Sequence, residues 1–203
     1  MATMQDVARQ AHERAWAARE QGYYLVLWPF GADQSDEISD LVQQGLADGV
    51  LLMEVCLQDA RVEALHAAGV PFTMIGRTES IEGLTSVDID FDRTTEDAVA
   101  HLAGLGHAFI GFLNHSQESH DAGCAPTIRA ADGFRRAMQA RGLVPQTVLC
   151  HESPQAGRRA ISDLLVAEPG SRTGRSPPAR PRRAAFGRCS PYACLSRGTT
   201  SAL

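Results

Sequence analysis

The chain has 203 residues, of which 44% are hydrophobic and 21% charged, and its formal net charge is −5. This length suffices for one large domain or two small lobes. The sequence has no apolar run long enough to cross a bilayer, and residues 1–20 are polar and charged, so we expect neither a transmembrane helix nor a signal peptide. A cytoplasmic protein that contacts no membrane is therefore expected.

Charge divides the chain at Pro169. Residues 1–168 hold all 24 acidic residues and 12 arginines, whereas residues 169–203 hold seven arginines, five prolines and no acid. The acidic body is not by itself a nucleic-acid surface. The tail lacks apolar periodicity and cannot bury a core, so we predict that it is disordered. Two explanations stay open for it: a basic arm for nucleic acid, or an out-of-frame translation of GC-rich DNA, which we favour.

The first half of the chain alternates helices with short apolar strands. Residues 1–21 are rich in Ala, Arg, Glu and Gln and predict a helix that ends at Gly22. Apolar runs predict strands at YYLVLW (23–28), GVLLMEV (49–55), VPFTMI (70–75) and LTSVDI (84–89). Helices are predicted between them at residues 35–47, where Ser35 is the N-cap, and at residues 59–68, which Gly69 ends.

The second half continues this alternation. Thr94 is the predicted N-cap of a helix that ends at Gly106. Further strands are predicted at 109–113 and 147–150, and further helices at 127–141 and 157–167. Such alternation with short links is typical of parallel sheets flanked by helices, so the predicted fold class is α/β. Ligands of these sheets bind beyond the carboxyl ends of the strands.

Four motifs occur in order along the middle of the chain: GVPFTMIGR (69–77), SVDID (86–90), AVAHLAGLGHAFIGFL (98–113) and RAADGFRRAMQARGL (129–143). In order and spacing they resemble the effector-binding domain of LacI/GalR-type transcriptional regulators. Residues 12–56 are similar to the preceding part of that domain. The resemblance implies a two-lobe fold like that of the periplasmic binding proteins, present here in incomplete form.

The resemblance also implies a division of the chain into four parts. Residues 1–11 resemble the first helix of a helix-turn-helix, merged into the first helix of the sensor domain. Residues 12–114 are then the N-terminal lobe, residues 115–168 a partial C-terminal lobe and residues 169–203 the tail. After MATMQDVARQA the family continues with G-V-S and a recognition helix, whereas this sequence continues with HERAWAARE. These departures favour the hypothesis of a truncated, frameshifted copy that does not itself bind operator DNA.

In the family, the domain binds a small-molecule effector, a sugar or a nucleobase, and couples this binding to operator DNA as a homodimer. The resemblance implies a sensor and not an enzyme, with no cofactor and no metal. Two alternatives stay open, of which the first shares the fold. A solute-binding protein of a transporter would need a signal peptide, and a small α/β enzyme would need a catalytic cluster at strand ends. The sequence contains no P-loop, no G-x-G-x-x-G and no Ser-His-Asp motif.

Four residues are candidate ligand contacts. Arg129 opens a helix at which the family commonly has an arginine that binds ligand hydroxyls or carboxylates; the alternative is a solvent-facing arginine. Asp90 matches the aspartate of the family's S-V-x-x-D motif; the alternative is a cap for the following helix. Arg77 and Asn114 come at strand ends, where they would line a cleft.

Histidines and cysteines do not predict chemistry here. The spacing of His115, His120 and Cys124 matches no zinc pattern, so a polar loop between the lobes is favoured over a metal site. Cys150 and His151 are neighbours on a strand and point to opposite faces, so they would not form a nucleophile and base. The chain has five cysteines and no C-x-x-C pair, which predicts no disulfide framework.

Overall fold

The computed structural model describes residues 12, 14–28, 44–80, 82–167 and 185–188. Its helices and strands are, in chain order, α1 (residues 14–20), β1 (Val50–Leu52), α2 (Ala60–Ala67), β2 (Phe72–Ile75), β3 (Ser86–Val87), α3 (Phe91–Gly104), β4 (Ile110–Asn114), α4 (Gln117–Asp121), α5 (Ala125–Gln139), β5 (Gln146–Leu149), α6 (Pro154–Ala167) and β6 (Ala185–Arg188). The predicted helix at 35–47 and the predicted helix-turn-helix remnant at 1–11 lie outside the described residues. None of the described helices is long and apolar enough to cross a membrane.

Two three-stranded sheets divide these elements into two lobes. The first sheet has the order β1-β2-β3, and Leu51 pairs there with Thr73. The second has the order β5-β4-β6, and Gly111 pairs there with Gln146. Every strand pair within these two sheets is parallel, and helices lie between β1 and β2 and between β4 and β5. The predicted α/β class is therefore confirmed.

Each sheet has its own apolar core. The first core is formed by Leu52, Val55, Val62, Leu65, Val70 and Met74. The second is formed by Phe91, Val99, Ile110, Phe112, Ala130, Phe134, Ala137 and Met138. Because α3 and β4 contribute to the second core, the lobes divide near Asp90 and not at the predicted boundary after Asn114. The apolar face of α3 determines this, since it packs on α5 and β4.

Helices α3 and α5 approach each other closely at Gly133. A Cβ atom added there would lie 2.9 Å from the Cα of Asp92, a distance that real Cβ atoms do not show. Arg136 forms an ion pair with the same Asp92 across the two helices. The glycine of the G-F motif is thus required by the contact between helices, which in turn holds α5 in place.

Helix α3 begins one turn earlier than predicted. Asp90 is its N-cap, and the Asp90 carboxylate accepts a hydrogen bond of 2.9 Å from the backbone N–H of Arg93. Thr94 lies inside the helix, where its hydroxyl donates to the Asp90 carbonyl at 2.7 Å. The Thr94 cap prediction was therefore wrong, because the carboxylate four residues upstream supplies the cap first. Gly106 ends the segment with a positive φ of 86°, as predicted.

Two stretches contradict the predictions outright. Residues 23–28 form no strand, and all of them except Leu25 are exposed, Tyr24 by 93%. A buried strand needs a neighbour, and no described strand pairs with this segment.

Conversely, Ala185–Arg188 lies in the tail predicted to be disordered but forms β6, parallel to β4. Strand pairing uses backbone groups, so the unpaired edge of β4 can accept a segment that lacks apolar periodicity.

Candidate functional site

The two lobes meet at what we term the interlobe junction, formed by residues 55–57, Thr78 and residues 123–129. Leu57 N–H donates to the Gly123 carbonyl at 2.9 Å, and Ala125 N–H donates to the Val55 carbonyl at 3.2 Å. Residues 55–57 follow β1, Thr78 follows β2, and residues 123–129 include the start of α5. The junction therefore lies at the carboxyl ends of first-lobe strands, where a parallel sheet places its ligands.

Arg129 connects the lobes through its side chain. Its guanidinium Nη2 donates to the carbonyl oxygen of Thr78 at 2.7 Å, and its Nε is buried without a hydrogen-bond partner among the described residues. Burial, together with the nearby charge of Arg77, lowers the pKa of Arg129. The solvent-facing alternative for Arg129 does not hold, because the side chain is half-buried and used in a contact.

Arg77 and Asp88 lie in the electrostatic surroundings of Arg129. Arg77 Nε is 3.2 Å from Asp88 Oδ2, and both side chains are partly buried. The structure thus brings two of the four predicted contacts, Arg77 and Arg129, to one place and adds an acid. Asp88 directly follows β3. Arg77 is a predicted ligand contact because it comes at a strand end, and the same reasoning applies to Asp88.

Asp90 and Asn114 have positions that their structural roles explain. Asp90 is exposed and caps α3, so the capping alternative is the one realised. Asn114 is buried, and its amide Nδ2 donates to the Thr127 carbonyl at 2.9 Å, while its Oδ1 accepts from the backbone N–H of His115 at 2.9 Å. Asn114 therefore joins the end of β4 to α5, which makes it a positioning residue at the junction.

His115 and Glu152 form a pair on the second-lobe side. His115 Nδ1 is 2.9 Å from Glu152 Oε1, and His115 Nε2 is buried with no hydrogen-bond partner in the described part of the chain. Burial opposes ionisation of Glu152, but the hydrogen bond with His115, a backbone hydrogen bond and nearby positive charge together lower the pKa of that carboxyl. The sequence did not reveal this pair, because its members are distant in the chain and meet only where β4 and β5 end side by side.

Three buried side-chain atoms lack a hydrogen-bond partner among the described residues: His115 Nε2, Thr127 Oγ1 and Arg129 Nε. All three belong to residues at or beside the contact between the end of β4 and the start of α5. Thr127 is wholly buried. Buried polar groups are normally satisfied, so a concentration of unsatisfied ones marks a place where a polar ligand would complete them.

A buried ion pair holds the first-lobe side of the junction. Asp59 accepts from Arg61 Nη2 at 2.7 Å and from Arg61 Nε at 2.9 Å, and its carboxylate also accepts from the Cys56 N–H at 3.1 Å. Arg61 in turn donates to the Glu54 carbonyl at 3.1 Å. Burial disfavours the charge of Asp59, but these hydrogen bonds lower its pKa. The pair thus fixes residues 54–56 next to α5.

Other candidate chemistry is not assembled in the described residues. They contain no group of three or more histidine, cysteine, aspartate or glutamate residues placed to hold a metal. The Cys150 thiol lies 3.8 Å from the Asn114 carbonyl, and His151 is largely exposed, so they form no nucleophile and base. A groove of about 440 Å³ lies between α2 and residues 78–84, but none of the four predicted contacts lines it.

Comparisons with known proteins agree with this architecture. No protein-family model matches the chain. It is 31% identical over 155 residues to the HTH-type transcriptional regulator AglR of Rhizobium meliloti, across 73% of this chain and 42% of that protein. It is 30% identical over 128 residues to the HTH-type transcriptional regulator RafR of Escherichia coli, across 62% of this chain and 36% of that protein. The chain thus spans about two fifths of the length of these curated relatives.

Solved structures give the same result. A regulatory protein of LacI family from Chloroflexus aggregans superposes with a TM-score of 0.66 at 27% identity, across 80% of this chain and 58% of that one. A transcriptional regulator CelR in complex with cellobiose superposes with a TM-score of 0.60 at 24% identity, across 75% of this chain and 47% of that one. These relatives are transcription regulators and not enzymes.

Proposed function

This chain belongs with the LacI/GalR-type transcriptional regulators by sequence and fold, and from that premise we propose that it senses a sugar at the interlobe junction. The observation that carries the proposal is the set of three buried polar atoms, on His115, Thr127 and Arg129, that no described residue satisfies. Sugar hydroxyls donate and accept hydrogen bonds, so they can satisfy an imidazole nitrogen, a hydroxyl and a guanidinium N–H together.

The charge distribution supports the same ligand class. Arg77 is neutralised by Asp88, and the carboxylates of Asp92 and Glu79 also lie in the electrostatic surroundings of Arg129, so the site has no strong excess of positive charge. This suits an uncharged polyol better than a phosphate or carboxylate. The CelR structure holds the disaccharide cellobiose, which is a precedent for a sugar in this fold. A nucleobase is the alternative effector.

A ligand between the lobes would touch residues of both, and this is how we propose that binding is transmitted. A ligand shifts an equilibrium between lobe arrangements by its difference in affinity for them. In the intact regulator this would change operator affinity, and we propose a homodimer in the cytoplasm as the working form. We expect no turnover of the sugar.

The test is a calorimetric titration of the purified chain with cellobiose, maltose and raffinose, and with adenosine and guanosine in parallel. We expect a sugar to bind and Arg129→Gln to weaken its affinity about tenfold, the value of one lost hydrogen bond of about 1.4 kcal/mol. Arg135→Gln on the exposed side of α5 is the matched control and should bind as the parent does. Binding of a nucleoside alone, no binding at millimolar concentrations, or conversion of the sugar would refute the proposal.

Operator binding is tested separately. We propose that this chain alone does not select a DNA sequence, because MATMQDVARQA is followed by HERAWAARE, where a recognition helix would be expected, and residues 14–20 form helix α1. Selection from a randomised duplex library at physiological salt should enrich no motif. Enrichment of one motif with a nanomolar Kd would contradict this.

A further inference from the structure

Cys56 and Cys124 are paired directly across the interlobe junction. They form an isolated antiparallel β-bridge, with Cys56 after β1 of the first lobe and Cys124 at the N-cap of α5 in the second. The two hydrogen bonds on either side run from Leu57 N–H to the Gly123 carbonyl and from Ala125 N–H to the Val55 carbonyl. This is the arrangement of a non-hydrogen-bonded pair, in which opposed side chains lie closest together.

Such a pair has the geometry that a disulfide requires. Opposed residues of this type have Cα atoms about 4.5 Å apart, which is within the range of about 4.4–6.8 Å that disulfides span. Both thiols are free and half-buried. The Cys124 thiol lies close enough to Cys56 to contribute to the raised pKa of the Cys56 thiol. The backbone pairing therefore places Cys56 and Cys124 in an arrangement that a disulfide can span.

We propose that Cys56 and Cys124 form a reversible disulfide that clamps the two lobes together under oxidising conditions. The oxidant is a low-molecular-weight disulfide. A cysteine thiolate attacks one of its sulfurs and releases one small thiol, and the second cysteine then attacks the resulting mixed disulfide and releases the other. One S–S bond breaks and one forms, and the two protons of the protein thiols end on the two small thiols.

Cys56 and Cys124 are free thiols in this structure. Burial, followed by the charge of Asp59, raises the pKa of the Cys56 thiol, so little of it is thiolate at neutral pH. Thr127 and Arg129 lie in the first turns of the helix that Cys124 begins, so oxidation would fix the part of α5 that faces the other lobe. The sequence did not suggest this pair, because the two cysteines are far apart and match no spacing motif.

The experiment uses the full chain with Cys189→Ser and Cys194→Ser, which leaves three of the five cysteines, Cys56, Cys124 and Cys150. The folded protein is incubated with oxidised glutathione, alkylated under denaturing conditions and digested for mass spectrometry. We expect a peptide linked through Cys56 and Cys124, reversal by dithiothreitol, and a rise of several degrees in Tm on oxidation, as a cross-link over a long loop should produce.

Matched variants distinguish a specific Cys56–Cys124 disulfide from general oxidation of the thiols. Cys150→Ser should form the same linked peptide, whereas Cys56→Ser and Cys124→Ser should form no internal disulfide while keeping the parent circular dichroism spectrum. If either serine variant fails to fold, the peptide map of the parent still shows which cysteines are linked and so tests the proposal. The proposal is overturned if Cys150 is in the linked peptide, if only glutathione adducts form, or if the Cys56–Cys124 link appears only in urea.

Discussion

The Nη2 atom of Arg129 in the second lobe lies 2.7 Å from the carbonyl oxygen of Thr78 in the first lobe. This hydrogen bond joins two segments that are distant in the chain, and it comes from a residue that also presents an unsatisfied buried Nε. The Arg129 side chain thus connects the two lobes through Nη2 and has a second donor, Nε, that a ligand could use. The two roles have separate experimental consequences.

Replacing Arg129 by Gln should lower the free energy of unfolding by about 1–2 kcal/mol, because a hydrogen bond from a charged donor to a half-buried carbonyl is lost. Urea unfolding followed by circular dichroism measures this change. Arg135→Gln removes an exposed ion pair with Asp132 on the same helix and should change the free energy by less than about 0.5 kcal/mol. Equal losses in both variants would show that the Arg129 contact contributes nothing specific.

Gly133→Ala should destabilise the protein by about 1–3 kcal/mol, because the new methyl group must push apart two packed helices. The nearest backbone atom, the Cα of Asp92, would be only 2.9 Å away. Gly157→Ala in α6 is the control, since a Cβ there meets nothing within 4 Å, and it should stabilise the protein by about 0.5–1 kcal/mol. Thermal melting of the two variants should therefore shift in opposite directions, and a shift of the same sign would contradict the close contact.

Asp59→Asn should lower the free energy of unfolding by about 3–5 kcal/mol near neutral pH, because it leaves the buried Arg61 guanidinium without its counter-charge. The cost should depend on pH in one direction. The pKa of Asp59 in the folded protein lies below its ordinary value of 3.8, so its contribution is complete above that value and is lost as pH falls through the lower folded pKa. The difference in free energy of unfolding between the parent and Asp59→Asn should therefore become smaller below about pH 4.

Urea unfolding of the parent and Asp59→Asn at several pH values measures this gap. The matched control is Asp97→Asn, which removes an exposed pair with Arg93 whose side chains are 3.1 Å apart. It should cost less than about 0.5 kcal/mol at neutral pH. A gap for Asp59→Asn that stays constant down to strongly acid pH would show that the ionised carboxylate is not the stabilising species.

Thr127→Val should raise stability by about 1 kcal/mol and weaken sugar binding. The Thr127 hydroxyl is buried without a hydrogen-bond partner in the described residues, so a methyl group in its place removes a desolvation cost. Thr95→Val is the control, because the Thr95 hydroxyl is also buried but donates to the Phe91 carbonyl at 2.8 Å. That variant should lose about 1 kcal/mol of stability and bind sugar normally.

Melting temperature and calorimetric affinity, measured on the same preparations, distinguish the two threonine variants. A Thr127→Val protein that is less stable than the parent would mean that the hydroxyl is satisfied in the folded chain. A more stable variant with unchanged sugar affinity would mean that Thr127 lies outside the binding site, which would remove one of the three atoms that support the proposed function.

Local chemistry was sufficient for most of the helices and strands. The apolar runs that overlap β1, β2, β3 and β4 are predicted as strands, and the positive φ values of Gly69 and Gly106 confirm that these glycines follow helices. These signals depend on a few adjacent residues and on backbone sterics. The exposed segment at 23–28 shows the limit, since an apolar run becomes a strand only when another strand is available to pair with it.

Part of the candidate site was also visible in the sequence. Arg77 and Arg129 were selected by their places after a strand and at a helix start, and the structure brings them together. Asp90 was selected by motif but is used as a cap. The His115–Glu152 pair could not be predicted, because its two members share no motif and come from different strand ends.

The alternation of helices and strands, the parallel α/β class and the glycines that follow helices can all be predicted from the local sequence. Each of these depends on periodicity, caps and glycine within a few residues. Three features follow from tertiary packing alone. Helix α3 packs in the core of the second lobe, polar atoms between β4 and α5 lack partners among the described residues, and Cys56 lies opposite Cys124. Those features arise where distant segments pack, and their geometry follows from backbone pairing and close contact between helices, which no local pattern encodes.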